Sequence, residues 1–272
     1  MKKMEELKNN EKYIKLIAYL KSLERVAVAF SGGVDSTFLL ASAREALSDK
    51  VVAFTVRSPY IPDWEIEEAR QIANKLSAKH MVFETQISNS ILHNPENRCY
   101  LCKKFIFTRL VNEAKKLNIS CVIEGTNSDD TGDFRPGIKA LRELNIKSPL
   151  LENNITKEDV RYFSRLLKLE TWDKPAYACL LTRIPYNTQI REEELRRIEH
   201  AEVFLMTLGF KGVRVRSHNN LARIELNKKQ INDIFQNSLR DKIVKKFKDI
   251  GYTYITLDIE GYRTGSMNLN ED

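Results

Sequence analysis

The sequence predicts an α/β protein, with a parallel-sheet domain over residues 1–186 and a smaller α+β domain over 187–272. Three observations lead there. A short β-branched run, Val26 to Phe30, breaks into Ser-Gly-Gly and then into a helical pattern. Strand and helix patterns alternate after it as far as residue 126. Alternation of that kind makes a parallel sheet covered by helices on both sides. Near 185–190 the pattern changes to a strong helix, a hairpin and a last strand.

The elements follow in order. "MKKMEELKNNEKYIKLIAYLKSLE" is an amphipathic helix through Tyr13, Ile14, Leu16, Ile17 and Leu20. It has no continuous apolar stretch, so it does not read as a signal peptide. No apolar run reaches bilayer length, so the expected location is the cytoplasm, with no membrane partner. After the 26–30 strand, Asp35 or Ser36 begins or caps a helix whose buried face takes Phe38, Leu39 and Leu40. "VVAFTV" (51–56) is a strand, "DWEIEEARQIANKLS" (63–77) a helix with a capping aspartate, and "KHMVFE" a strand. A helix near 100–117 precedes the strand "CVIEGT" (121–126). In the second domain, "REEELRRIEHAEVFLMTLGF" is a helix with Leu195, Ile198, Ala201 and Leu205 on one face. "VRVRSH" and "LARIEL" form a hairpin across "NN". Two helical stretches and the strand "YTYITLDI" complete an αββααβ order.

The composition suits a soluble chain with a proper core: 42% apolar and 30% charged among 272 residues. The net charge of +7 favours anionic partners such as nucleotides, phosphorylated small molecules or RNA. Runs such as "KKFKD" are ordinarily a solvated helix face, so charge alone selects none of these.

The string "SGGVDS", residues 31–36, is more specific. A tight glycine loop at a helix N-terminus makes an anion site, because the backbone approaches closely and the first helical N–H groups lack internal partners. An ordinary strand-to-helix turn accounts for a glycine but not for the whole string. No Gly-x-x-x-x-Gly-Lys-[Ser/Thr] and no Gly-x-Gly-x-x-Gly occur, which removes the Walker and Rossmann phosphate loops. The string resembles the SGGxDS PP-loop of ATP pyrophosphatases (adenine nucleotide alpha hydrolase-like fold), which cleave ATP between its α and β phosphates.

Four cysteines occur: Cys99, Cys102, Cys121 and Cys179. Cys121 opens a buried strand and reads as a small hydrophobe. Cys99 and Cys102 in "CYLC" share a face at or before a helix start, and Cys179 lies in "KPAYACLLTRIPY". In a cytosolic chain such a pair means metal or redox chemistry. Four readings stand: a [4Fe–4S] cluster on three thiolates, a Cys99–Cys102 disulfide with Cys179 as persulfide carrier, third, zinc with a further ligand such as His93, and, last, unrelated buried cysteines with no shared site.

Over nearly the whole chain the sequence resembles the LarE-type ATP-dependent sulfur transferases. The likeness rests on "AFSGGVDSTFLL", "EGTNSDDTGDFRPGIKA", "CLLTRIPY", "LGFKGVRVRSHNNLARIEL" and "YITLDIEGYRTGSMN". It implies adenylylation of a carboxylate on a pyridinium dicarboxylate mononucleotide, then sulfur insertion, as part of nickel-pincer nucleotide synthesis. Ser31, Gly32, Gly33, Ser36 and Thr37 would hold ATP, and Asp35 would hold Mg²⁺. Asp129 and Asp130 would add metal or ribose contacts unless they form only a solvated turn. Arg214, Arg216 and Arg263, with Asp233, would bind the substrate phosphate, and Arg183 is a further loop arginine. Cys179 takes the position of the sacrificial cysteine of some members. The extra pair Cys99 and Cys102 places this chain with members thought to use a three-cysteine cluster fed by sulfide or a sulfur-carrying protein. The resemblance also implies a homo-oligomer. A tRNA thiolase shares loop and cluster, but no RNA-binding module is recognisable here, so nucleic acid is not expected. Ammonia-using NAD or GMP synthetases share the loop without the cysteines. Nothing in the sequence gives His218, Glu225, Trp64 or Trp172 a role.

Overall fold

The computed structural model describes residues 2–132, 136–175 and 177–263. The chain divides into two compact units. The first comprises Met1–Ser58, Asp63–Ser90 and Asn97–Ala176, and the second Pro59–Pro62, Ile91–Glu96 and Tyr177–Asp272. Residues 177–186 thus lie in the second unit, as do two short pieces from the first half of the chain.

The first unit begins with helices α1 (Lys2–Lys8) and α2 (Glu11–Ser22). Asn10 caps α2 by accepting from the backbone N–H groups of Lys12 and Tyr13. Strand β1 (Val26–Ala29) leads through the loop into α3 (Val34–Leu47). Then come β2 (Val51–Arg57), α4 (Asp63–Lys75), β3 (Lys79–Glu84), α5 (Arg98–Lys116) and β4 (Cys121–Ile123). Three helices end the unit: α6 (Pro136–Glu143), α7 (Pro149–Glu152) and α8 (Lys157–Leu166).

The four strands are parallel in the order β3-β2-β1-β4. Alternate residues along a strand point to opposite faces, and the packing follows that rule. Val26, Val28, Val51, Ala53 and Ile123 pack with Leu16, Phe38, Ala69 and Phe163, from α2, α3, α4 and α8. Ala27, Val52, Phe54 and Val122 pack on the other face with Phe107, Leu110 and Leu141, from α5 and α6. This is the expected helix-covered parallel sheet. Beyond β4 the backbone bridges Ile123 to Lys147.

In the second unit α9 (Glu192–Thr207) buries Leu195, Ile198, Ala201 and Leu205, the predicted stripe. Strands β5 (Arg214–His218) and β6 (Leu221–Glu225) form the hairpin, with Asn219 at φ +58° in its turn. Helix α10 (Asn237–Asp249) and strand β7 (Tyr254–Leu257) follow, and β7 pairs parallel to β6.

Four expectations need correction. The N-terminal stretch is two helices, α1 and α2, because Asn10 caps a new start between them. Helix α3 starts at Val34 with Gly33 as its N-cap, so neither Asp35 nor Ser36 caps it. The first of the two helical stretches after the hairpin is a pair of 3₁₀ turns, Lys228–Gln230 and Asn232–Phe235. Cys121 is half-buried, not fully enclosed. No helix among the described residues is long and apolar enough to cross a membrane.

Candidate active site

The loop after β1 is curled on its own hydroxyls. Ser36 Oγ lies 3.1 Å from Ser31 Oγ and 3.3 Å from the Ser31 N–H, and it donates to the Gly33 carbonyl at 3.3 Å. Ser31 Oγ accepts from the Gly33 N–H at 3.3 Å. Gly32 has φ +68°, and a Cβ there would stand 3.1 Å from the Ala69 Cα of α4. Glycine is therefore required twice, by conformation and by the close approach of α4. Lys174 Nζ donates to the Gly32 carbonyl at 3.0 Å and to Glu68 at 2.7 Å, beside the Trp64 ring. Thr37 donates its backbone N–H to the Gly33 carbonyl at 2.9 Å, and its side chain is buried.

Residues after β4 close over this loop. A Cβ on Gly125 would stand 3.1 Å from the Ser36 nitrogen and 3.2 Å from the Asp35 carbonyl carbon, so glycine lets two backbones touch. Buried Glu124 accepts from the Thr126 N–H, the Thr126 hydroxyl and the Ser148 hydroxyl. Asn127 is fully buried and donates to Asp35 Oδ1 at 3.1 Å. Asp35 Oδ2 takes the ammonium of Lys157, the first residue of α8. Asp129 and Asp130 each hold a turn: Asp129 accepts from the Lys157 backbone N–H at 2.8 Å and Asp130 from the Asn127 N–H at 3.0 Å.

The Asp35 carboxylate suits Mg²⁺ by a direct observation: a cation, the Lys157 ammonium, already sits on it. The glycines beside it leave room for backbone to approach phosphate. Sequence reasoning missed Asn127, Lys157 and Lys174. Only Lys157 had a local signal, the capping box of Thr156 and Asp159 around it.

In the second unit, buried arginines gather around the Cys179 turn. Arg183 forms a two-bond fork on Glu202, at 2.8 and 2.9 Å, and donates to the Ala178 and Cys179 carbonyls. Arg216 forks on Glu225, at 2.9 and 2.7 Å, and reaches the Thr182 carbonyl at 2.6 Å. Arg214 lies between the Tyr177 and Tyr262 rings, about as near to one as to the other, and donates to the Val213 carbonyl at 2.9 Å. Burial, with Arg183 nearby, pushes its guanidinium below the usual range. Arg214 and Arg216, two apart on β5, are both buried. Arg263 is exposed and pairs with Glu260 at 2.6 Å. Asp233 is exposed in the second 3₁₀ turn. Burial lowers the pKa of His218, with Arg223 adding to the effect.

Cys99 and Cys102 stand three apart at the start of α5, Cys99 exposed and Cys102 half-buried. Spacing of three puts both on one helix face. Between them Tyr100 donates to Glu143 of α6 at 2.8 Å, which pins this turn. These cysteines belong to the first unit. Cys179 and exposed His93 belong to the second. Among the described residues no group of three or more His, Cys, Asp or Glu side chains is gathered to hold a metal ion. In the first unit the donor chemistry suited to soft metal is a pair of thiols.

Comparison with known proteins covers the same segments. The sequence signature of the asparagine synthase family matches residues 18–129, which contain the loop. A protein of Synechocystis described only as uncharacterized is 42% identical over 92% of this chain and 94% of its own length. The pyridinium-3,5-bisthiocarboxylic acid mononucleotide synthase of Lactiplantibacillus plantarum is 36% identical over 93% of this chain and 92% of its own. A tRNA-specific 2-thiouridylase of Zymomonas mobilis is 28% identical over 39% of this chain and 34% of its own.

Proposed function

Because this chain belongs to the LarE-type family of ATP-dependent sulfur transferases within the PP-loop ATP pyrophosphatases, we propose that it inserts sulfur into a pyridinium dicarboxylate mononucleotide on the way to a nickel-pincer nucleotide. The observation that carries this reading is the curled loop with its cation-paired Asp35, in a chain similar to such a synthase along nearly all of its length.

A carboxylate oxygen is a poor leaving group, so AMP is attached before sulfur displaces it. Ser31, Gly32, Gly33, Ser36 and Thr37 hold the departing pyrophosphate at the N-terminus of α3. Asp35 holds Mg²⁺, which when bound offsets the triphosphate charge. Asp129 and Asp130 shape the turn that carries Asn127 to Asp35, with ribose or metal within their remaining capacity. Arg214, Arg216 and Arg263, with Asp233, bind the substrate phosphate, for which the guanidinium fork is suited. Arg183 and Arg216 also fix the turn of Cys179 through its carbonyls. As functional modules, residues 1–186 handle ATP and sulfur and residues 187–272 the substrate and self-association.

Cys99, Cys102 and Cys179 are the proposed ligands of a [4Fe–4S] cluster, which when bound supplies a site for exogenous sulfur. The thiol pair on α5 supports this. The cytoplasm is the proposed location and sulfide, or a protein carrying it, the proposed donor. The similarity to the tRNA thiouridylase covers too little of the chain to favour RNA as substrate.

Two measurements test this. Protein purified without oxygen should be brown, and Cys99→Ala, Cys102→Ala or Cys179→Ala should remove the absorbance and the iron. Colourless protein carrying stoichiometric zinc would overturn the cluster assignment. Turnover should release AMP and pyrophosphate, and ADP as the product would overturn the PP-loop chemistry.

A further inference from the structure

We propose that Lys157 is a nucleotide-binding residue that trades places with the metal: its ammonium holds Asp35 while the site is empty and moves to the β and γ phosphates when Mg²⁺ arrives with ATP. The inference rests on the ATP reading above and adds to it a residue and an order of binding.

The geometry points to this through one contact and its support. Lys157 Nζ sits on Asp35 Oδ2, and the side chains are 37% and 24% exposed, so the pair faces the open side of the loop. The other carboxylate oxygen is held by buried Asn127 at 3.1 Å. Asp35 is therefore aimed by Asn127, and its second oxygen is the one open to exchange.

The base of Lys157 is fixed although its tip is not. Thr156 accepts from the Asp159 N–H at 3.1 Å and Asp159 accepts from the Thr156 N–H at 2.9 Å, closing a capping box around it. The Lys157 N–H is held by Asp129 at 2.8 Å. Lys12 pairs with Asp159 and ties α8 to α2. Four methylenes separate this anchored backbone from the ammonium, which gives it reach without loss of register.

Charge decides the direction of the exchange. A bare Mg²⁺ on Asp35 would lie beside the Lys157 ammonium, and like charges at such range repel. MgATP carries net negative charge, so the displaced ammonium gains phosphate oxygens as it yields the carboxylate. Lys157 therefore opposes metal alone and favours metal with nucleotide. That is a positive coupling between the two ligands, and it acts equally on each.

The test is binding, not turnover. Mn²⁺ affinity without nucleotide is measured by electron paramagnetic resonance, and affinity for the magnesium complex of α,β-methylene-ATP by calorimetry. In Lys157→Met, metal alone should bind several-fold more tightly, and the magnesium nucleotide about tenfold more weakly, the usual worth of one charge-assisted hydrogen bond. Lys157→Arg should keep much of the coupling, and its retention of nucleotide binding shows that the methionine effect is one of charge. Unchanged or weaker Mn²⁺ binding in Lys157→Met, with normal wild-type nucleotide binding, would overturn this inference alone. Failure of the wild type to bind the nucleotide would overturn the functional reading and this inference together.

Discussion

Glu225 is wholly buried and takes both nitrogens of the Arg216 fork, with Arg223 a third contact at 3.3 Å. The strands set this geometry. Arg214 lies directly opposite Glu225 and Arg223 opposite Arg216, so the fork is a diagonal across the hairpin. Glu225→Leu would strip the buried Arg216 guanidinium of both contacts of its fork. Breaking one side of such a pair costs roughly 3–5 kcal/mol, more than the net worth of the pair, because the orphaned charge stays desolvated. Arg216→Met should cost about 3 kcal/mol, since Glu225 retains Arg223. The double variant should lie within about 1–2 kcal/mol of the wild type, because removing both charges removes the desolvation as well. The three values form a cycle with strongly non-additive coupling. Both tryptophans, Trp64 and Trp172, lie in the first unit, so their fluorescence follows the wrong part of the chain. Hydrogen exchange of the β5 and β6 amides in a urea series reads the second unit directly. Additive losses, or a Glu225→Leu loss below about 1 kcal/mol, would show that the pair is not the desolvated unit described.

Two other outcomes follow from contacts described above. Gly125→Ala forces a methyl against the backbone of Ser36 and Asp35, which no rotamer relieves. A loss of about 1–3 kcal/mol in urea melts is expected, together with weaker nucleotide binding. Burial lowers the pKa values of His80 and His218 below the ordinary 6.5, so the folded chain holds fewer protons than the unfolded one in the window between the lowered and ordinary values. Stability should therefore fall as pH drops through that window and stay level above it. His80→Gln with His218→Gln should flatten the slope, and a wild-type-like slope in the double variant would refute the assignment.

Local pattern carried much of the architecture. The β1 run, the stripe of α9 and the "NN" hairpin are short-range signals, and each formed where periodicity put it. Helices α6, α7 and α8 were not anticipated, although Thr156 and Asp159 mark the start of α8 with a capping box. The cap of α3 was misplaced because Ser36 spends its hydroxyl on Ser31 and Gly33 within the loop. In the site, Asp35 was legible from its motif, but its partners are not neighbours in the chain. Asn127 and Lys157 lie 92 and 122 residues away, and only the parallel order β1-β4 brings them near. The resemblance pointed to Arg214 and Arg216, while the glutamates that hold Arg183 and Arg216, Glu202 and Glu225, became visible only through packing.

The contact between Gly32 and Ala69 extends the nucleotide loop beyond its own letters. The Ala69 side chain has no polar atom and lies on a different helix, yet its backbone leaves no room for a Cβ at Gly32. A broader side chain there would leave the six-letter string intact and lift the amides it presents. Scanning for the string alone would miss that fault, so residue 69 should be read alongside the glycines whenever a loop of this kind is recognised or transplanted.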